Sequence, residues 1–319
     1  MGVPAKVTDE QLMLLWEKYQ SGQKVADVIG MSLRGLMRRR QRFEAKTGII
    51  LQADSPINGS KSERFFYRHH MARTDAELRN GTIFVASDCH YHPGEVSTAH
   101  KAFVKLIKKM KPDMVVMNGD VFDGATVSRY PPTGFDPVKP PTVKQELEAV
   151  SDRLHEIVKV AGNARKVWTI GNHDMRFEGR LTQAAPQYEG VKGFALRDHF
   201  PGWVHCLSLM VNKTIMIKHR YHGGIHATYN NTLKAGISIV TGHLHRLQAS
   251  IWSDYNGSRF GIDTGTLAEV DGDHMSYGED NPKNHASGFV VLTIIDGVLV
   301  YPEFCYVVDG TAYFRGQKV

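Results

Sequence analysis

Val167-Trp168-Thr169-Ile170-Gly171-Asn172-His173-Asp174 runs from a mostly apolar stretch straight into three adjacent polar side chains. A short apolar run closed by glycine reads as a buried strand, so the polar residues fall at its carboxyl end. Gly-Asn and His-Asp alone are ordinary turn material. The arrangement recurs, however. Asp88-Cys89-His90 follows the run 83–86, Gly119-Asp120-Val121-Phe122-Asp123 follows 114–117, and Gly242-His243-Leu244-His245 follows 237–240. His219 stands behind a fifth run, 214–217. Five strand ends rich in Asp, His and Asn point to one metal site assembled from loops.

Helical periodicity fills the gaps between these runs. Val96, Ala99, Phe103, Ile107 and Met110 mark one amphipathic helix. Val143, Leu147, Val150, Leu154, Ile157 and Ala161 mark a second, after a proline-rich loop with Pro131-Pro132 and Pro140-Pro141. The β-α-β-α-β order predicts a parallel sheet with helical crossovers, whose strand ends gather along one edge. From about residue 212 strands dominate, at 214–218, 237–240, 250–253 and 289–295, and Asp296-Gly297 and Asp309-Gly310 read as hairpin turns.

At 319 residues the chain has room for one large domain and a small one. A hydrophobic share of 42% with 23% charged residues fits an ordinary soluble globular protein. Cys89, Cys206 and Cys305 are too few and too far apart for a disulfide framework, which points to a reducing compartment. Neither a signal-peptide pattern nor an apolar run of membrane-spanning length is present, so the expectation is a cytoplasmic protein without a membrane partner. The net charge of +6 points mildly toward a polyanionic partner.

That charge is concentrated at the N-terminus, where residues 1–50 hold nine Lys/Arg against five Asp/Glu and so carry +4 of the +6. Residues 1–47 read as a separate helical unit. Leu12, Leu15, Trp16 and Tyr19 recur at helical spacing behind the capping candidates Thr8 and Asp9, and Ser21-Gly22 breaks that helix. A short second helix carries Val25, Ala26 and Ile29 and ends at Gly30. Ser32 caps a third, with Leu33, Leu36, Met37 and Phe43 inward and Arg34, Arg38, Arg39, Arg40, Arg42 and Lys46 on the other faces. The pattern resembles a helix-turn-helix. DNA is the expected partner, with Arg34, Arg38, Arg39, Arg42 and Lys46 as candidate contacts, and a merely solvated basic face is the alternative. Residues 48–80 read as a linker, most clearly Asn58-Gly59-Ser60-Lys61-Ser62. Within it, Arg64-Phe65-Phe66-Tyr67-Arg68-His69-His70 reads as a packing segment. Residues 81–319 form the second domain.

Asp88 and His90 reach one metal together if the backbone between them curls. Asp120 is a carboxylate able to bridge two metals, Asn172 offers a neutral oxygen, and His243 and His245 reach neighbouring metals from one turn. Two divalent cations, two carboxylates and one hydroxide sum to about +1, which attracts a phosphate.

Asp-x-His, Gly-Asp-x-x-Asp, Gly-Asn-His-Asp, a lone strand-end His and Gly-His-x-His, in that order within residues 81–305, resemble the calcineurin-like metallophosphoesterase superfamily. The resemblance implies an α/β fold. Two facing sheets lie between helices in an α/β/β/α metallophosphoesterase sandwich, here preceded by the small all-α helix-turn-helix-like domain. It implies two divalent metal ions per chain, manganese (Mn) first, with Fe, Zn, Mg or Ni as alternatives. Asp88, His90 and His245 would bind the first metal, Asp120 would bridge, and Asn172, His219 and His243 would bind the second. His173 would be catalytic, giving a proton to the leaving oxygen, with Asp123 orienting its ring. The family often places His-Gly after the fourth strand, which keeps His222 as an alternative to His219. His92 and His226 read as surface or hydrogen-bonded histidines. The function implied is a dinuclear-metal-dependent phosphoesterase. The N-terminal unit turns that toward a phosphodiesterase cleaving DNA, a nuclease, by in-line attack of a metal-bridging hydroxide. The combination also resembles phage-encoded phosphoesterases, which would place the protein in the host cytoplasm. The alternatives are a phosphatase or cyclic-nucleotide phosphodiesterase with a protein-docking N-terminal unit, and a non-catalytic DNA-binding regulator. The sequence leaves the oligomeric state open.

Overall fold

The computed structural model describes residues 7–19, 21–47, 51, 72–94, 96–129, 139–272, 275 and 283–319. The linker segment 58–62, the packing segment 64–70 and the prolines 131 and 132 lie outside the described residues. The chain divides into two compact units, Met1–His69 and His70–Val319.

The first unit contains α1 (Asp9–Tyr19), α2 (Gly22–Ile29) and α3 (Leu33–Thr47). Thr8 Oγ1 accepts from Gln11 N and Gln11 Oε1 accepts from Thr8 N, a reciprocal cap. Ser21 and Ser32 cap α2 and α3 through Lys24 N and Gly35 N, and Gly30 closes α2 in the left-handed conformation. Leu12, Trp16, Val25, Ala26, Ile29, Leu36, Phe43 and Leu51 form the core. Leu33, expected inward, is exposed, because the packing stripe of α3 begins one turn later at Leu36.

In the second unit a nine-stranded sheet has the order β15-β14-β13-β11-β2-β3-β4-β5, with β12 paired to β11. Its parallel centre is β2 (Gly81–Ala86), β3 (Met114–Met117), β4 (Arg165–Thr169) and β5 (Val204–Cys206). The antiparallel half is β11 (Gly288–Ile295), β12 (Val298–Leu299), β13 (Glu303–Val308), β14 (Thr311–Phe314) and β15 (Gln317–Lys318). A six-stranded sheet has the order β1-β6-β7-β8-β10-β9. It is built from β1 (Arg73–Ala76), β6 (Ser208–Val211), β7 (Ile215–Ile217), β8 (Ser238–Thr241), β9 (Leu247–Asp254) and β10 (Gly257–Thr264).

The central strands are buried on both faces, so they read as continuous apolar runs. Ile83 and Val85 of β2 point into the core shared with the six-stranded sheet, against Leu209, Ile217 and Ile262. Phe84 and Ala86 point the other way, under α4 (Thr98–Met110) and α5 (Val143–Ala161), where Phe103, Ile107, Leu154 and Ile157 meet them. α7 (Ala227–Ala235) lies on the far side, over β8, β9 and β10. The result is the two-sheet α/β/β/α sandwich. Asp296-Gly297 and Asp309-Gly310 form the two hairpin turns, all four residues at positive φ. The three cysteines are buried and free. Among the described residues no helix is long and apolar enough to cross a membrane.

Two expectations need correction. The linker 48–80 extends too far, because Arg73–Ala76 is an edge strand paired in parallel with β6. Only Ala76 of that strand is buried, and Asn212 grips the chain two residues on by accepting from Leu78 N and donating to Leu78 O, so no apolar run announces it. The strand-dominated C-terminal part also contains α7. Its buried residues are Ala227, Thr228, Asn231 and Thr232, a small polar stripe without the large apolar periodicity that marks a helix.

Candidate metal centre and basic helix

Asp88, His90, Asp120, His243 and His245 all have positive φ, between 41° and 74°. Five non-glycine residues in the left-handed region cost about 1 kcal/mol or more each, which the surrounding fold must offset. This is the curl that brings Asp88 and His90 onto one site. Hydrogen bonds lock the loops to each other. Asp88 N donates to Gly119 O at 2.9 Å and His90 N to Asp120 O at 3.0 Å. His243 N donates to Asp88 Oδ2 and His173 N to Asp120 Oδ1, both at 2.8 Å. The glycines preceding the ligand candidates permit this closeness. A Cβ on Gly119 would meet the His219 ring at 2.5 Å, and one on Gly171 would collide with Asp120.

Among the described residues three donor clusters result, one of them His90, Asp123 and His173, and the other two carry the ligand candidates. Asp88, His90 and His245 each bring one ligand atom within 4.8 Å of the others, and so do Asp120, His219 and His243. His245 Nε2 is 3.1 Å from Asp88 Oδ1, and His219 Nε2 is 3.0 Å from Asp120 Oδ2. Asp88 Oδ1, His90 Nε2, Asn172 Oδ1 and His219 Nε2 are buried without a hydrogen-bond partner. Buried polar atoms are ordinarily paired, so four orphaned donor atoms on facing loops fit cations held between them. The other ring nitrogens of His90 and His219 are fixed as metal-binding imidazoles require. His90 Nδ1 meets Asp123 Oδ1 at 2.9 Å and His219 Nδ1 meets Asn118 O at 2.8 Å. The structure brings His219 rather than His222 to Asp120, since His222 is exposed and bonded through its backbone to Asn231. His226 is likewise exposed, and neither it nor His92 belongs to a cluster.

The electrostatics favour positive charge at this place. Burial opposes ionisation of Asp120, but His219 and His173 outweigh it and hold the carboxyl at about 2. Asp88 is likewise held well below the usual carboxylate range, with burial overcome by His245 and His219. Burial lowers the His219 pKa, yet Asp88 and Asp120 lift it to about 9. The His243 pKa is lowered by burial and by the charges of His219 and Arg220, which outweigh the opposing pull of Asp88 and Asp120.

His173 lies beside these clusters at the start of α6 (Asp174–Ala184). Its Nδ1 is 2.8 Å from Asp123 Oδ1, the same oxygen that meets His90. Its Nε2 faces Asp120 Oδ2 at 3.9 Å. The Asp123 carboxyl stays well below its ordinary pKa because the hydrogen bonds from His173 and His90 overcome its burial.

Several supporting residues escaped the sequence reading. The Asp174 carboxylate accepts from Asp120 N, Val121 N, Phe122 N, Gly171 N and Trp168 Nε1 at 2.8–3.0 Å, tying two of the loops together. Asn118 holds His219 and accepts from Thr169 Oγ1. Asp174 stands inside a recognised motif and Asn118 directly before one, so their position was the available signal. Arg176, one turn into α6, donates from Nη2 to His173 Nε2 at 2.9 Å and from Nη1 to Asp123 O at 3.0 Å. His285 packs on His245 with ring centroids 4.5 Å apart, and as an isolated histidine it carried no sequence signal.

On α3, Arg34, Arg38 and Arg42 are exposed and spaced four residues apart, so they share one face. Arg39 and Lys46 are placed differently from expectation. Both turn toward Asp9, Arg39 at 3.6 Å and Lys46 at 3.2 Å, and Arg39 also donates to Val7 O. The acidic first turn of α1 draws them. Arg40 pairs with Glu44 at 2.7 Å and lies over the Trp16 ring.

The chain is similar to known proteins. The Gene 54 protein of Mycobacterium phage L5 is 26% identical over 246 residues, covering 68% of this chain and 90% of the relative. The Gene 54 protein of Mycobacterium phage D29 is 26% identical over 240 residues, covering 66% and 88%. The solved structure of Yfce, a phosphoesterase from E. coli, is 17% identical, covers 69% of this chain and 97% of that one, and superposes with a TM-score of 0.34. Residues 81–263, more than half of the sequence and the part that carries every strand-end motif, match the calcineurin-like phosphoesterase family, and the chain belongs to it.

Proposed function

We propose that this metal-dependent phosphoesterase is a phosphodiesterase that cleaves DNA. The observation that carries the choice of substrate is the stripe of Arg34, Arg38 and Arg42 on α3. These three exposed guanidinium groups carry no ion pair among the described residues and are spaced to follow a phosphate backbone. The phage origin of the Gene 54 relatives supports the host cytoplasm as the place of action.

Asp88, His90 and His245 would hold one divalent cation, and Asp120, Asn172, His219 and His243 a second, with Asp120 shared. Mixed carboxylate and imidazole donors suit borderline metals, and manganese is the first candidate. When bound, such a pair neutralises phosphate charge and lowers the pKa of water. The chain's own residues do the rest. Asp123 fixes the His173 ring through Nδ1. Nε2 accepts from Arg176 here and would have to leave that contact and carry a proton to act as the acid on the departing oxygen. Arg176 sets a guanidinium beside that nitrogen, where it can also neutralise a phosphate oxygen. Asp174 keeps Asp120 and Gly171 in register, so these groups need no rearrangement during the reaction.

The test is cleavage of plasmid DNA beside a nitrophenyl diester and a nitrophenyl monoester, each with manganese. Cleavage of plasmid and diester is expected. Hydrolysis of the monoester alone would replace this reading with a phosphatase, and no hydrolysis of any of them would favour a non-catalytic regulator.

A further inference from the structure

Residues 199–253 contain no aspartate or glutamate, so all 33 acidic residues of the chain lie outside this segment. Within it are Lys213, Lys218, Arg220, Lys234, Arg246 and seven histidines. It builds β5 through β8 and all of β9 except its last residue, Asp254, and with them the side of the metal centre that presents His219, His243 and His245. Directly after His219 the loop 220–226 stands out from the surface. Tyr221 is 43% exposed and Ile225 is 78% exposed. The loop is nonetheless tied down. Arg246 Nη1 donates to Gly224 O at 2.9 Å and Ile225 O at 3.3 Å. Asn231 Oδ1 accepts from His222 N at 3.0 Å and its Nδ2 donates to His222 O at 3.3 Å. Lys218 Nζ lies 5.4 Å from the centre of the Tyr221 ring, and the Tyr221 and His222 rings are 4.4 Å apart. Arg220 is exposed and directly follows His219.

A fixed loop that displays a flat ring and an apolar side chain, on a segment bearing only positive charge, matches the two faces of an unpaired nucleotide. Cations take the phosphate and the ring takes the base. A duplex cannot use such a ring, because its base faces are already stacked. We propose that the loop 220–226 is a platform for an unpaired DNA strand and leads that strand to the metal centre. The proposal rests on the DNA-cleaving reading and specifies the form of DNA that enters the centre.

The test is fluorescence anisotropy of the full chain with a labelled single-stranded oligonucleotide and with the matching duplex, in EDTA so that cleavage does not interfere. Tyr221→Ala should weaken single-strand binding roughly tenfold, the scale of one lost base–aromatic stack. Duplex affinity should stay unchanged, and Tyr221→Phe, which keeps the flat ring, should bind the single strand like the unaltered chain. Arg220→Gln should flatten the dependence of log affinity on log salt by about 0.7, one phosphate contact on a single strand. Equal losses on both DNA forms, or no loss on the single strand, would overturn the platform. If Tyr221→Ala lacks a cooperative melt, Arg220→Gln at its exposed position decides, and an unchanged salt slope overturns the proposal. Plasmid cleavage by the unaltered chain tests the proposed reaction separately. Strand binding that responds to Tyr221 without any cleavage overturns the reaction alone, and cleavage without a Tyr221 effect overturns the platform alone.

Discussion

Asp174→Asn should destabilise the second unit even though it touches no candidate ligand side chain. Asp174 is 1% exposed and accepts five N–H bonds. Oδ2 takes Asp120 N, Gly171 N and Trp168 Nε1, while Oδ1 takes Val121 N and Phe122 N. Asparagine keeps one oxygen. Placed where Oδ2 stands it keeps three bonds, and its NH₂ then opposes the N–H groups of Val121 and Phe122. Two lost bonds to a charged acceptor, at about 1.5 kcal/mol each, give about 3 kcal/mol. For a unit of this size that lowers Tm by roughly 6–12 °C. Thermal melting followed by circular dichroism reads the shift. Metal analysis of the same sample should find weaker retention, because the Val121 and Phe122 N–H groups, directly after Asp120, lose their anchor. A melt within about 2 °C of the unaltered protein, with full metal content, would refute the claim that Asp174 latches the two loops.

His173→Ala should keep both metals and lose roughly two to four orders of magnitude in turnover, with a smaller loss on substrates with good leaving groups. Equal losses on good and poor leaving groups would exclude proton donation. Glu146 is buried, and burial followed by the charge of Asp123 pushes its pKa up to about 8 from 4.5. The folded chain therefore keeps a proton that the unfolded chain releases, and stability falls as pH rises through that window. Glu146→Gln, which mimics the protonated acid, should melt near the unaltered protein at about pH 4. It should melt higher than the unaltered protein at about pH 9, and an equal difference at both values would contradict the shift. Replacing Arg34, Arg38 and Arg42 together by Gln should flatten the salt slope of duplex binding by about 2.7, from three phosphate contacts at 0.9 each. An unchanged slope, measured without divalent metal, would remove DNA from α3.

Much of this arrangement was legible because the sequence leaves few ways to satisfy it. Residues 114–117 are apolar on both faces, so only a central strand fits, and Asp120 must then fall at the sheet's carboxyl edge. The order of five such runs placed Asp88, Asp120, Asn172, His219 and His243 together without any coordinates. β1 was illegible for the opposite reason. Arg73 and Thr74 are half-buried polar residues and Asp75 is exposed, so no apolar run forms, and pairing with β6 holds the strand instead. α7 hid behind a stripe of Ala, Thr and Asn that packs closely on β10, where a Cβ on Gly261 would collide with Thr228. The difference between Arg38 and Arg39 was also beyond reach, since both are arginines on one basic helix. Only the position of Asp9 in space separates the cation paired at home from the one left facing outward. Arg176 and His285 were missed because they become relevant only once His173 and His245 are in place.

The most direct measurement is metal content per chain, read by plasma mass spectrometry alongside hydrolysis of a nitrophenyl diester, for the unaltered protein and for Asp120→Asn. The donor geometry predicts two tightly held divalent ions in the unaltered protein, hydrolysis that a chelator removes and manganese restores, and loss of both metal and turnover in Asp120→Asn. Two ions and normal turnover in Asp120→Asn, or diester hydrolysis indifferent to chelation, would contradict a two-metal centre built around Asp120.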